Sequence, residues 1–308
     1  MTRCNLFALC TFRVFVGLAV LVAAQVARGE DDLDSILAET SAELSTATYQ
    51  LQYNFEPGET ILYDVVHQAT IDTKIAGNRQ VTKSRSSSAK AWKVLSVEDG
   101  NIRFEHMIQA VDMYQQVDGR DEITYNSEKD KEPPVEYEHV AKSIGKTLAT
   151  VTMNRNGQVI ARESSTRSPD LGFGGLVVPL PKGEVKLGHT WAVPTKLKLR
   201  ERDGRVKDVK TQMRYRLEKV KTGVATISVK TEVLTPITDA SLKSQLVQQI
   251  SNGEIKFDMD AGRVMSKQLD WTENVIGFNG AESNMKYLAR FTEKLTDTRT
   301  ASKPKQVK

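Results

Sequence analysis

From Tyr49 onward, apolar and polar residues alternate with a period of two, the pattern of strands buried on one face. In the first long run Ile61, Tyr63, Val65, Ala69 and Ile71 share one side, opposite Asp64, Gln68, Thr70 and Asp72. Residues 91–110 repeat the pattern around Asp99-Gly100, a pair suited to the left-handed positions of a tight hairpin. Further hairpins are predicted at Asn156-Gly157, Thr222-Gly223, Ala261-Gly262 and Asn279-Gly280. The run "KSRSSSAK" at 83–90 reads as a solvated strand face or an edge strand, since lysine and arginine blunt edge pairing. Charged, turn-rich residues 117–133 read as an elaborated hairpin or surface loop. Two segments break the alternation and read as helices. "VEYEHVAKSI" opens after Pro133-Pro134 and stops at Gly145, and "DASLKSQLVQQISNG" has Asp239 as N-cap and Gly253 as its stop.

The elements recur in the same order in two halves. Gly58 matches Gly188 and Thr60 matches Thr190; Trp92, Val94 and Gly100 match Tyr215, Leu217 and Gly223; Gly157 and Val159 match Gly262 and Val264. The first half is longer, mostly between Gly100 and Gly157, where segment 117–133 accounts for the excess. The expected fold is α+β and predominantly antiparallel β, with two tandem β-rich repeats over 48–163 and 188–295. About eleven or twelve strands and two short helices are expected, in one curved, half-barrel-like sheet or in two related lobes. Residues 164–187, rich in Gly, Pro and Ser, read as the connector, and 296–308 as a disordered basic tail.

The N-terminus follows a different pattern. Arg3 and Arg13 accompany an apolar run from Val14 to Ala24, followed by Ala27-Arg28-Gly29. The run falls short of the roughly 20 residues a spanning helix needs, so residues 1–29 read as a cleaved signal peptide, followed by an acidic segment at 30–47. Export to the periplasm or beyond follows. Cys4 and Cys10 both lie in the leader. The exported part therefore has no thiol chemistry, thiolate metal site or disulfide, and depends on its core. The whole chain carries a formal charge of +4. Loss of Arg3, Arg13 and Arg28 with the leader brings it close to neutral, which argues against a nucleic-acid partner.

Candidate chemistry is sparse. His67 and His106 sit at apolar-phase strand positions, where two inward imidazoles could meet a metal or a polar ligand head; the plainer reading is hydrogen-bonded core or surface histidines. No H-x-H or H-E-x-x-H spacing supports a metal, and no cofactor is expected. "DMDAG" at 258–262 begins like a calcium loop, but its twelfth position is Leu269. "SSAK" at 87–90 and "SIGK" at 143–146 lie outside the helix start that a serine–lysine hydrolase needs. "GFGG" at 172–175 lacks the context of a phosphate loop. Trp92, Trp191, Tyr215 and Trp271 fall on strand positions as core residues would, with a sugar-stacking platform as the alternative.

The stretch "VVPLPKGEVKLGHTW", followed by strand pairs and a D-x-x-G-x-V hairpin, resembles a family of exported, β-rich bacterial proteins of unknown function found in planctomycete-type genomes. That resemblance spans most of residues 50–295, and its motifs imply a fold and no activity. A looser, architectural resemblance is to periplasmic lipoprotein carriers, whose curved sheet encloses an apolar cavity; no carrier residue transfers to this chain. The expected function is non-catalytic binding of a lipid, another apolar ligand or an envelope protein, through His67, His106, Trp92, Trp191 and Tyr215. The alternative is an exported hydrolase with a carboxylate or histidine site in a cleft.

Overall fold

Long alternating runs become long strands. The computed structural model describes residues 47–164 and 176–300. Its strands are β1 Tyr49–Gln50, β2 Glu59–Ile75, β3 Asn78–Glu98, β4 Asn101–Val117, β5 Ile123–Asn126, β6 Thr147–Asn154 and β7 Val159–Ser164. They continue with β8 Glu184–Val185, β9 Thr190–Arg200, β10 Val206–Lys221, β11 Val224–Val233, β12 Asn252–Asp258, β13 Arg263–Ile276 and β14 Asn284–Thr300. One 12-stranded antiparallel sheet runs β7-β6-β4-β3-β2-β14-β13-β12-β11-β10-β9, with β5 added on β4. The order is an open path ending at β7 and β9, so the sheet does not close into a barrel. β1 and β8 pair separately. Among the described residues helix is confined to a 3-10 turn at Val135–Tyr137 leading into Glu138–Ala141, and to Ala240–Leu246. Among the described residues no helix is long and apolar enough to cross a membrane.

The expected signal peptide at 1–29, residues 30–46, the 165–175 part of the expected connector with its Gly-rich "GFGG", and the chain from 301 lie outside the described residues. β14 runs on to Thr300, beyond the expected boundary at 295.

The chain folds as a meander, with β14 seated between β2 and β13. Matched positions in the two halves carry the same backbone features. The Gly58 N–H donates to the Val94 carbonyl at 2.9 Å, and the Gly188 N–H to the Leu217 carbonyl at 2.7 Å. The β3–β4 register shifts between Val94 and Ser96, and the β10–β11 register between Leu217 and Lys219. Bulges of this kind add twist and curvature to long strands. Both halves send their helical segment across between the third and fourth long strands.

The core lies on the inward face of the sheet. Leu51, Tyr53 and Phe55 are buried there, between β1 and β2. Two hairpin tips grip them: the Tyr53 N–H donates to the Arg155 carbonyl at 2.7 Å, and the Asn54 N–H to the Gly262 carbonyl at 3.0 Å. The tip of the β6–β7 hairpin needs glycine, since a Cβ on Gly157 would lie 2.5 Å from the Val178 carbonyl oxygen and 2.8 Å from the Tyr53 ring. Val177, Val178 and Leu180 are buried in the same core cluster as Tyr53, so this part of the connector is core.

Two expectations change. "KSRSSSAK" is not an edge strand: β3 is paired on both sides, by β2 and β4, and long exposed edge pairing is avoided by burying it mid-sheet. Gly253 does not stop a helix. Asp239 does cap one, accepting the Ser241 N–H at 2.7 Å, but that helix ends at Leu246. Gly253 lies in β12, where a Cβ would come within 1.9 Å of the Gln268 carbonyl oxygen. Close approach of two backbones, not a chain stop, requires the glycine.

Substitution of these glycines tests the packing. Gly253→Ala and Gly157→Ala should each lower stability by about 2–4 kcal/mol in urea denaturation. Gly77→Ala, at a turn with open space around its missing Cβ, should cost only about 1 kcal/mol of backbone strain.

Candidate functional site

β9 is the last strand of the sheet, so its inward side chains have neighbours on one flank only. Trp191 fills part of that space. Its ring stacks on Tyr215 of β10, centroids 5.6 Å apart and planes 12° from parallel, and its Nε1 donates to the Pro179 carbonyl at 2.9 Å. Beyond this stack the face is uncovered, and Val193 remains 36% exposed although its side chain is in phase with the core. The result is a cleft of about 640 Å³. Val193, Leu197 and Met213 line its floor with Trp191 and Tyr215; Val177, Pro179 to Lys182 and the Gly157 hairpin form its walls, and Thr231 and Gln249 also line it. The surface is apolar with scattered hydroxyl and amide groups, as in small-molecule sites.

A second constellation is buried mid-sheet. Glu293 of β14 receives a hydrogen bond from Lys90 of β3 and faces Lys267 of β13 at 3.5 Å, all three side chains being almost fully buried. The Lys90 ammonium lies 4.6 Å from the centre of the Tyr63 ring and 4.7 Å from that of Trp92; Lys267 lies 5.0 Å from Phe291. Two cations share one carboxylate, and aromatic faces take up the remaining positive charge. Burial alone would raise the Glu293 pKa, but Lys90 and Lys267 outweigh it and hold the carboxyl below its usual range. Burial lowers the pKa of Lys90, against the pull of Glu293. Burial, reinforced by Lys90, pushes His106 down to about 4. At the rim of the core, Arg263 donates to Glu59 at 2.6 Å.

Compared with known proteins, the sequence matches no family model and no curated protein. Among solved structures, a lipovitellin described for its lipid–protein interactions aligns with 82% of this chain at 11% identity and a TM-score of 0.42. This chain spans only 27% of that one. The translocator domain of the autotransporter NalP from Neisseria meningitidis aligns with 88% of this chain and 97% of its own length, at 7% identity and a TM-score of 0.18. The Salmonella secretin InvG in its open gate state aligns with 89% of this chain and 67% of its own, at 9% identity and a TM-score of 0.18.

The expected site residues do not gather in one place. Trp191 and Tyr215 line the cleft. Trp92 is core, packed on Phe104 with ring centroids 4.7 Å apart, and its register partner on β4 is His106. His67 sits on β2 against Trp271, at 6.2 Å. The two imidazoles do not converge on one ligand. The β3 residues opposite them, Ser86 and Trp92, are six positions apart, about 20 Å along an extended strand. Among the described residues no group of three His, Cys, Asp or Glu side chains is placed to hold a metal.

Sequence reasoning missed Lys90, Lys267 and Glu293. The signal was present in the alternation: each occupies the apolar phase of its strand, as Lys90-x-Trp92, Lys267-x-Leu269 and Phe291-x-Glu293.

Glu293→Gln leaves two buried ammoniums without their carboxylate and should cost about 3–5 kcal/mol in urea denaturation, whereas the joint replacement Lys90→Met, Lys267→Met, Glu293→Leu should cost less than that single change. Stability should also fall with acidification. His106, with its folded pKa below the ordinary value of about 6.5, binds its proton more readily in the unfolded chain, so stability declines as pH drops from about 6.5 towards 4. Glu293 acts lower, its contribution being lost as pH falls from about 4.5 through its depressed folded value. His106→Gln should reduce the upper part of this decline, the remainder coming from His67, whose pKa burial also lowers, and should leave the lower part unchanged.

Proposed function

We propose that this is an exported cell-envelope protein that binds a lipid or a comparable apolar ligand in the cleft beside Trp191, without catalysis. The observation that carries the reading is the uncovered inward face of β9 and β10, at the β9 end of the sheet, where the core filling stops short. Its volume of about 640 Å³ falls in the range of small-molecule sites, roughly 300–1,000 Å³. An apolar guest there would cover Val193 and Met213, and each fully buried aliphatic side chain contributes about 1.5–3 kcal/mol. Export rests on the leader pattern at 1–29 and on cysteines confined to it. The histidine-based hydrolase gains no support, because His67 and His106 face different stretches of β3.

Fluorescence tests the cleft directly. Trp92 and Trp271 are buried, whereas Trp191 is half-buried and lines the cleft. A brominated fatty acid should quench part of the tryptophan emission saturably, and Trp191→Phe should abolish that part. Val193→Asp, at an exposed position, should weaken binding at least tenfold with the fold intact. Quenching that is non-saturable, or unchanged in Trp191→Phe, would exclude the cleft as the site.

A further inference from the structure

The cleft is electrically one-sided. Among the described residues that line it, Lys182 alone is charged, and no carboxylate joins it. The wall bearing Lys182 is pinned to the β6–β7 hairpin: the Leu180 N–H donates to the Asn156 carbonyl at 2.8 Å, and Asn156 Nδ2 donates to the Pro181 carbonyl at 2.7 Å. The lysine therefore leaves the backbone from a fixed point, with its side chain exposed at the rim. The apolar floor of Trp191, Val193 and Met213 belongs to the same cleft. A single exposed cation beside an apolar slot complements a molecule with one negative head and one hydrocarbon tail. Lysine is a compact, hydrated point charge, suited to a head that stays in contact with water.

We propose that the cleft takes a single-chain anionic amphiphile of the fatty-carboxylate class, its head on Lys182 and its tail over Trp191, Val193 and Met213. The proposal rests on the reading of the cleft as an apolar-ligand site. One tail is favoured over two by a volume of about 640 Å³, which suits a drug-sized guest. Selectivity comes from the head, because the floor treats any alkyl chain alike.

Isothermal titration with dodecanoate, dodecanol and dodecyltrimethylammonium, all below their micelle-forming concentrations, separates head from tail. The protein should bind dodecanoate about two- to fivefold more tightly than dodecanol, the size expected of one exposed charge pair, and the cation most weakly. Lys182→Glu should invert the order of anion and cation while leaving dodecanol affinity within about twofold. Equal affinities for all three in the unmodified protein, or an anion preference that survives Lys182→Glu, would overturn the head-group assignment and leave the apolar cleft standing. If none of the three binds, the cleft reading falls and this assignment falls with it.

Discussion

Tyr53 ties the interior together. Its hydroxyl donates to the Val178 carbonyl at 3.0 Å and accepts the Val178 N–H at 3.1 Å, so one phenol satisfies both backbone groups of a buried residue 125 positions away. Its N–H holds the β6–β7 hairpin through Arg155, its ring meets Phe257 edge-on at 5.5 Å, and Gly157 leaves room for that ring. A buried polar group without a partner costs about 1–3 kcal/mol, so the 177–181 segment and Tyr53 each make the other's burial tolerable. Burial raises the phenol's pKa well above its usual value, which keeps it neutral and donating.

This anchorage decides where the sheet is filled and where it is not. Leu51 to Phe55 and Val177 to Leu180 occupy the inward face under both gripping hairpins. Along β9 the filling reaches Trp191, while the strand continues to the more exposed Val193 and to Leu197. An open sheet has a last strand, and a last strand has inward side chains covered from one side only. The cleft follows from that geometry.

The Lys90–Glu293–Lys267 cluster sits where β3, β14 and β13 come together across β2, near the middle of the sheet. Buried ions are expensive to desolvate, and a net stabilising role for such a group is not the rule. What the cluster does supply is register. A one-residue slip of β14 would turn Glu293 to the outer face and leave two ammoniums buried alone. The central seam is thus held by a charge pattern as well as by apolar alternation.

Much of the fold was legible along the chain. Period-two alternation, the Asp-Gly, Asn-Gly and Thr-Gly turns and the Asp239 cap are local properties, set by side-chain direction and backbone conformational preference. They specified strands, hairpins and the inward phase of Trp191 and Tyr215. The failures were non-local. Whether "KSRSSSAK" lies at an edge depends on which strands flank it, and Gly253 is required by a carbonyl of the facing strand. Lys90 looked solvated because lysine usually is, and its carboxylate partner lies 203 positions away. By itself, then, the sequence determined the strands, their faces and their turns, because these follow from neighbouring residues. The tertiary structure alone decided that His67 and His106 stand apart, that three charges meet in the core, and that a cleft opens beside Trp191. Each of these depends on the order in which strands pair, and strand order brings together residues that no local pattern relates.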